Sequence, residues 1–205
     1  MSTTTLSIPS NKGKRLPPEV LTREEVNALI GACSKRAPTG IRNRALLAVL
    51  YRGQLRIGEA LALKPKDLDR TAGTVRVLHG KGDKSRTVGL DEGAWALLEL
   101  WLQCRQKIGL AARHPLFCTL KGEPLLPSYC RSLLARLARK AGIEKRVHPH
   151  GLRHTGAAEL RAEGVDIGII SKQLGHSSIA TTARYLDHVC LAAVIAAMRS
   201  RDWNP

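Results

Sequence analysis

The chain has 205 residues, 43% hydrophobic and only 3% aromatic, which suits one soluble core built from Leu, Ala, Ile and Val and argues against global disorder or a β-sandwich. Lys and Arg total 33 against 17 Asp and Glu, a formal net charge of +16, and an excess of that size on a small domain implies a polyanionic partner. No segment resembles a membrane-spanning helix or a signal peptide, so nucleic acid is preferred to a membrane surface.

Residues 1–18 read as a flexible basic tail: Ser/Thr-rich, then Asn11-Lys12-Gly13-Lys14-Arg15, then Pro17-Pro18. Thr22 with Glu25 three residues on predicts a capping box opening a helix to about Ser34. Ala37-Pro38-Thr39-Gly40 reads as a break, followed by an apolar helix from Ile41 to about Arg52 and a third from Arg56 to Leu63, ended by Pro65. Then the period changes. Thr74-Val75-Arg76-Val77-Leu78 alternates as a strand does, Gly80-Lys81-Gly82-Asp83 is turn chemistry, and Arg86-Thr87-Val88 returns, which predicts a small β-hairpin. Helices are expected again over 91–108, 128–141, 151–163 and 166–174, with a last, almost wholly apolar one near 189–199. The fold class expected is therefore α+β, mainly α-helical, with a small antiparallel β-sheet.

Five cysteines (Cys33, Cys104, Cys118, Cys130, Cys190) are scattered, with neither C-x-x-C nor Cys/His knuckle spacing. They read as reduced, partly buried thiols of a cytoplasmic protein, not as a disulfide framework or a zinc site.

Four stretches carry polar residues that core packing does not require. Gln54-Leu55-Arg56-Ile57-Gly58-Glu59 puts an Arg at a helix start with Glu one turn later. Gly80-Lys81-Gly82-Asp83-Lys84 is the hairpin tip. His148-Pro149-His150-Gly151-Leu152-Arg153-His154 places His150 and Arg153 on one helical face. Leu174-Gly175-His176 is followed nine positions later by Tyr185. Two guanidinium forks suit the oxygens of a phosphodiester, a histidine can handle a proton near neutrality, a lysine can protonate a departing oxygen, and a tyrosine can form a covalent ester. The three histidines do not have the spacing of H-E-x-x-H, and no carboxylate cluster suggests a metal; neither metal nor cofactor is expected.

In order and spacing these stretches resemble the tyrosine recombinase (phage integrase) family across residues 20–188. Leu55-Arg56-Ile57-Gly58-Glu59 looks like its first arginine box and Gly80 to Arg86 like its β-hairpin lysine. His150-Gly151-Leu152-Arg153-His154 is similar to its second box, and Leu174-Gly175-His176-Ser177-Ser178 with Thr181, Thr182 and Tyr185 to its third. The resemblance implies a catalytic domain over 19–205, with the C-terminal helix of 188–205 packed on its own domain or exchanged between protomers. It implies a site-specific recombinase that breaks and rejoins double-stranded DNA through a 3′-phosphotyrosyl intermediate. The catalytic residues would be Arg56, Lys81, His150, Arg153, His176 and Tyr185. Arg56 and Arg153 would hold the scissile phosphate, His150 assist the tyrosine's proton and His176 hydrogen-bond the phosphate. Lys81 would protonate the leaving 5′-oxygen, with Lys84 a rival; Glu59 would orient the site and His154 support its helix. A homotetramer on DNA and DNA-bending accessory proteins are the partners implied. The position before Leu55-Arg56, usually Gly in the family, is Gln54 here. Only about a score of residues precede the domain, so the resemblance is to the family's small members without an N-terminal core-binding domain, or to a truncated integrase. The alternatives are a type IB topoisomerase and a DNA-binding regulator or inactive remnant; the filled catalytic positions argue against the last.

Overall fold

Thr22 opens the first helix as its spacing predicts. Its hydroxyl accepts from the Glu25 amide at 3.2 Å, and the Glu25 carboxylate accepts from the Thr22 amide at 2.7 Å. The structure, a computed structural model, describes residues 19–78, 85–184, 186, 195, 198, 199 and 201. In chain order these form α1 (Arg23–Gly31), α2 (Pro38–Tyr51), α3 (Ile57–Ala62), a 3-10 turn (Pro65–Asp67), β1 (Leu68–Asp69), β2 (Thr74–Val77), β3 (Arg86–Gly89), α4 (Glu92–Lys107), α5 (Pro127–Lys140), α6 (Pro149–Ala162) and α7 (Ile167–Leu174). Residues 179–184 are helical again. The mainly helical α+β reading is borne out. Residues 1–18, the hairpin tip with Lys81 and Lys84, Tyr185, Cys190 and most of the expected last helix lie outside the described residues.

α2 begins earlier than expected. Pro38 does not break the chain but takes the first helical position, where its fixed φ fits and no amide donor is needed. The Ser34 hydroxyl accepts from the amides of Arg36 and Ala37 at 3.2 and 3.0 Å and turns the chain into it. From Ala45 to Tyr51 every residue of α2 is buried, so it lacks an amphipathic stripe and runs through the core between α4 and α6. α6 crosses it closely at Gly156, where a Cβ would stand 2.0 Å from the Tyr51 carbonyl oxygen.

The strands form one antiparallel sheet in the order β1-β2-β3, with Leu68 opposite Val75, Val75 opposite Val88 and Val77 opposite Arg86. β1, only two residues long, is too short to leave a periodic signal in the sequence. Val75, Val77 and Val88 face the core. Two buried arginines fix the segment leading to α5. Arg42 donates to the Cys118 carbonyl at 2.9 Å and the Tyr129 hydroxyl at 2.7 Å. Arg105 donates to the carbonyls of Pro115 and Leu116 at 2.7 and 2.8 Å. Arg42 meets carbonyls and a hydroxyl and Arg105 meets backbone carbonyls, in place of carboxylates, which satisfies their donors inside the protein. Cys33, Cys104, Cys118 and Cys130 are buried free thiols, in line with the expectation for them. A second, smaller cluster of Ala157, Ala158, Ile170, Leu174 and Leu186 joins α6 and α7 to the segment that follows them.

Candidate active site

Arg56 is the N-cap of α3, and Glu59 stands at its third position. The Glu59 carboxylate accepts from the Arg56 amide at 2.8 Å and from Arg56 Nη1 at 2.8 Å. It is also gripped fork to fork by Arg86, Nη1 on Oε1 at 2.9 Å and Nη2 on Oε2 at 2.8 Å. Burial alone would raise the Glu59 carboxyl. The bonds from Arg86, the Arg56 backbone and the Arg56 side chain outweigh it and hold the group at about 2.

Arg153 rises from the first turns of α6 and is 1% exposed. It donates through Nη1 to the Gln54 carbonyl and through Nη2 to the Leu174 carbonyl at 2.6 Å. Nη2 also lies 3.4 Å from His176 Nε2, and Nη1 lies 4.0 Å from Glu59 Oε2. Gln54 presents its carbonyl from a left-handed backbone, φ +51, which is unusual for a residue with a side chain. That conformation accounts for a position that favours glycine in the resembled family. Gln54 and Arg153 are thus coupled through the backbone of the loop leading into α3.

His176 follows Gly175, the left-handed cap (φ +64) that ends α7. Its Nδ1 lies 2.8 Å from the Thr182 hydroxyl. Burial, then the charges of Arg153, Arg56 and Arg86, press its pKa down to about 4, so the ring is neutral near pH 7. A guanidinium only donates, so Nε2 accepts from Arg153 and Nδ1–H points to Thr182 in this arrangement. The Thr182 hydroxyl can serve the other tautomer equally well.

The histidines of α6 divide their work. His148 is the N-cap, its Nδ1 accepting from the Gly151 amide at 3.1 Å. His150 is exposed on the first turn, yet enough of its ring is shielded from water to lower its pKa, as do the charges of Arg153, His148 and Arg56. His154 is fully buried. The structure therefore brings Arg56 and Arg153 together on Glu59, with His176 beside Arg153 and His150 near enough to feel the charges of Arg153 and Arg56, while Lys81 and Tyr185 lie outside the described residues. Thr182 and Leu186, on either side of Tyr185, are placed: the first bonds His176, the second is fully buried against α6 and α7.

Two members of the cluster were missed from sequence. Arg86 shares the alternation of Val88, whose side chain faces the core, so strand parity already pointed it inward. Gln173 left no such signal. Its side-chain amide donates to the Gly89 carbonyl at 2.9 Å, accepts from the Gly89 amide at 3.0 Å, and reaches the Gly53 carbonyl at 3.4 Å. It thereby ties α7 to β3 and to the loop before Arg56. Behind that loop, Arg52 is held by Asp91 and by Glu159, which also binds Tyr51 and Arg23. Among the described residues, no helix is long and apolar enough to cross a membrane.

A tyrosine recombinase XerC of Bacillus licheniformis is 38% identical over 184 residues, covering 88% of this chain and 60% of the relative. A XerD of Ralstonia nicotianae is 35% identical over 82% of this chain and 55% of its own length. The chain thus spans about 60% or less of the relatives it matches here. Among solved structures, XerA recombinase superposes with a TM-score of 0.78 at 31% identity, covering 97% of this chain and 71% of that one. XerH, solved with a palindromic difH substrate as a post-cleavage complex, superposes with a TM-score of 0.72 at 32% identity, covering 89% and 53%. The fold is that of tyrosine recombinase catalytic domains, and a match to the phage integrase family runs over residues 19–190, so the chain belongs to that family.

Proposed function

We propose that this chain is the catalytic domain of a site-specific DNA recombinase that cuts and rejoins strands through a phosphotyrosine at Tyr185. The observation that carries the reading is the cluster itself. Arg56 and Arg153 stand beside a neutral His176 and an exposed His150, with Glu59 as their buried counter-ion. Such an array stabilises negative charge that grows on a phosphodiester as it becomes pentacoordinate. Double-stranded DNA is the natural polyanion for a chain of net charge +16.

In this mechanism Arg56 and Arg153 take the non-bridging oxygens. The Tyr185 phenol gives its proton toward His150 and attacks phosphorus; the P–O5′ bond breaks, and Lys81 protonates the departing 5′-oxygen, with Lys84 as the alternative donor. His176 offers Nε2–H to the phosphate once Arg153 turns to its oxygen, Thr182 then donating to Nδ1. A 5′-hydroxyl of the partner strand reverses the step, which conserves the phosphodiester and needs no cofactor. The catalytic domain would run from residue 19, and the 188–205 segment would join four protomers on DNA, with bending proteins as helpers.

A nicked suicide DNA from the native locus tests this. The wild-type chain should form a covalent protein–DNA adduct stable to denaturation, and Tyr185→Phe should form none. An adduct with the Phe variant, or none with wild type, refutes the assignment.

A further inference from the structure

Glu59 poses an electrostatic problem. A buried carboxylate bonded only to Arg56 would cancel the charge that Arg56 has to offer a phosphate. The geometry answers it with Arg86. The bidentate grip on Glu59 belongs to Arg86, whereas the Arg56 side chain makes a single bond to it, Nη1 on Oε1 at 2.8 Å. Arg56 is also the reachable one: its side chain is 32% exposed, that of Arg86 13%.

The same side chain spans to the turn that carries His176. Arg86 Nε points at the Gln173 carbonyl at 3.4 Å. Its stem occupies the space beside Gly175, where a Cβ would stand 2.6 Å from Arg86 Cδ. Arg86 thus touches both the α3 start and the α7 end.

Arg56, Arg86 and Arg153 around Glu59 give three positive charges against one negative, a net +2. A phosphodiester carries one negative charge and its pentacoordinate transition state two, so the cluster matches the transition state better than the ground state. Without Arg86 the net falls to +1.

We propose that Arg86 is a positioning residue that neutralises Glu59, so that the carboxylate orients Arg56 without consuming its charge, and that seats the Gly175-His176 turn on the same cluster. The proposal rests on the strand-cleavage reading above.

The test compares adduct formation on two suicide DNAs, one with a normal scissile phosphodiester and one with a methylphosphonate there, whose transition state carries one negative charge fewer. Arg86→Gln should slow the phosphodiester reaction about 100-fold, and the methylphosphonate reaction less than about 10-fold. Arg86→Lys, which keeps the charge, should stay within about 10-fold of wild type on the phosphodiester. Thermal melts establish that each variant is folded. The double variant Arg86→Gln/Glu59→Gln returns the cluster to +2 and leaves no carboxylate to draw on the charge of Arg56. It should cleave the phosphodiester faster than Arg86→Gln alone and show the wild-type ratio between the two substrates; if Arg86→Gln does not fold, that ratio decides. Equal losses on both substrates, no loss at all, or a double-variant ratio shifted toward the methylphosphonate would overturn the proposal while wild-type cleavage stands. No adduct from wild type on the phosphodiester would instead refute the strand-cleavage reading, and this proposal with it.

Discussion

Replacing Glu59 with Gln removes a carboxylate that the fold holds ionised with three hydrogen-bonded partners, two guanidinium groups and a backbone amide. The group moves from an ordinary 4.5 to about 2, burial working against the shift and the arginines more than offsetting it. Its side chain is only 4% exposed, so solvent screens the interaction little. At about 1.4 kcal/mol per tenfold change in proton affinity, the pH-dependent stability involved is about 3 kcal/mol. Because the folded value is depressed, this stability is present above the unfolded value of 4.5 and is lost as pH falls toward about 2. Urea unfolding of wild type and Glu59→Gln over that range is the assay, since other carboxylates cancel in the difference. The gap in unfolding free energy should narrow by about 3 kcal/mol between about pH 6 and pH 2. A gap that stays constant would show that the arginines do not hold Glu59 ionised, and the charge count built on it would fail.

Two further outcomes follow from the packing and charge around the site. His176 should titrate near 4 instead of 6.5 by NMR; between those values the unfolded chain binds a proton that the folded one refuses, so this residue makes stability rise with pH through that window. A midpoint at or above 6.5 would mean the neighbouring arginines do not act on it. Gly156→Ala places a Cβ 2.0 Å from the Tyr51 carbonyl oxygen, which is backbone and cannot swing away. Chemical denaturation should show a loss of about 2 kcal/mol or more, and an unchanged midpoint would show that α6 and α2 do not cross so closely.

Much of the candidate site was legible in the sequence because its pieces are local. Arg56 with Glu59 and His150 with Arg153 are each three positions apart at a helix start, so spacing alone places their side chains together, and Gly175 marks the helix end that presents His176. Strand alternation and capping residues located most elements for the same reason. What spacing does not encode is which distant turn meets which. Arg86 and Glu59 are 27 positions apart, and Gln173 and Gly89 are 84 apart; only the closing of β3 against α3 and α7 unites them. The left-handed Gln54 was visible as a departure from the resembled family, but its use, aiming a carbonyl at Arg153, needed the fold. Pro38 was misread because a proline that ends one helix and a proline that begins the next look alike without the Ser34 turn before it.

Gln173 has one more consequence. Among the described residues β3 is the last strand of its sheet, and such a border exposes backbone donors and acceptors on which a strand from another molecule can grow. At Gly89 both of those groups are taken by a single side-chain amide arriving from a helix. An incoming strand would have to evict Gln173 before it could pair there. Two copies of this chain can therefore lie close together without their sheets fusing at Gly89.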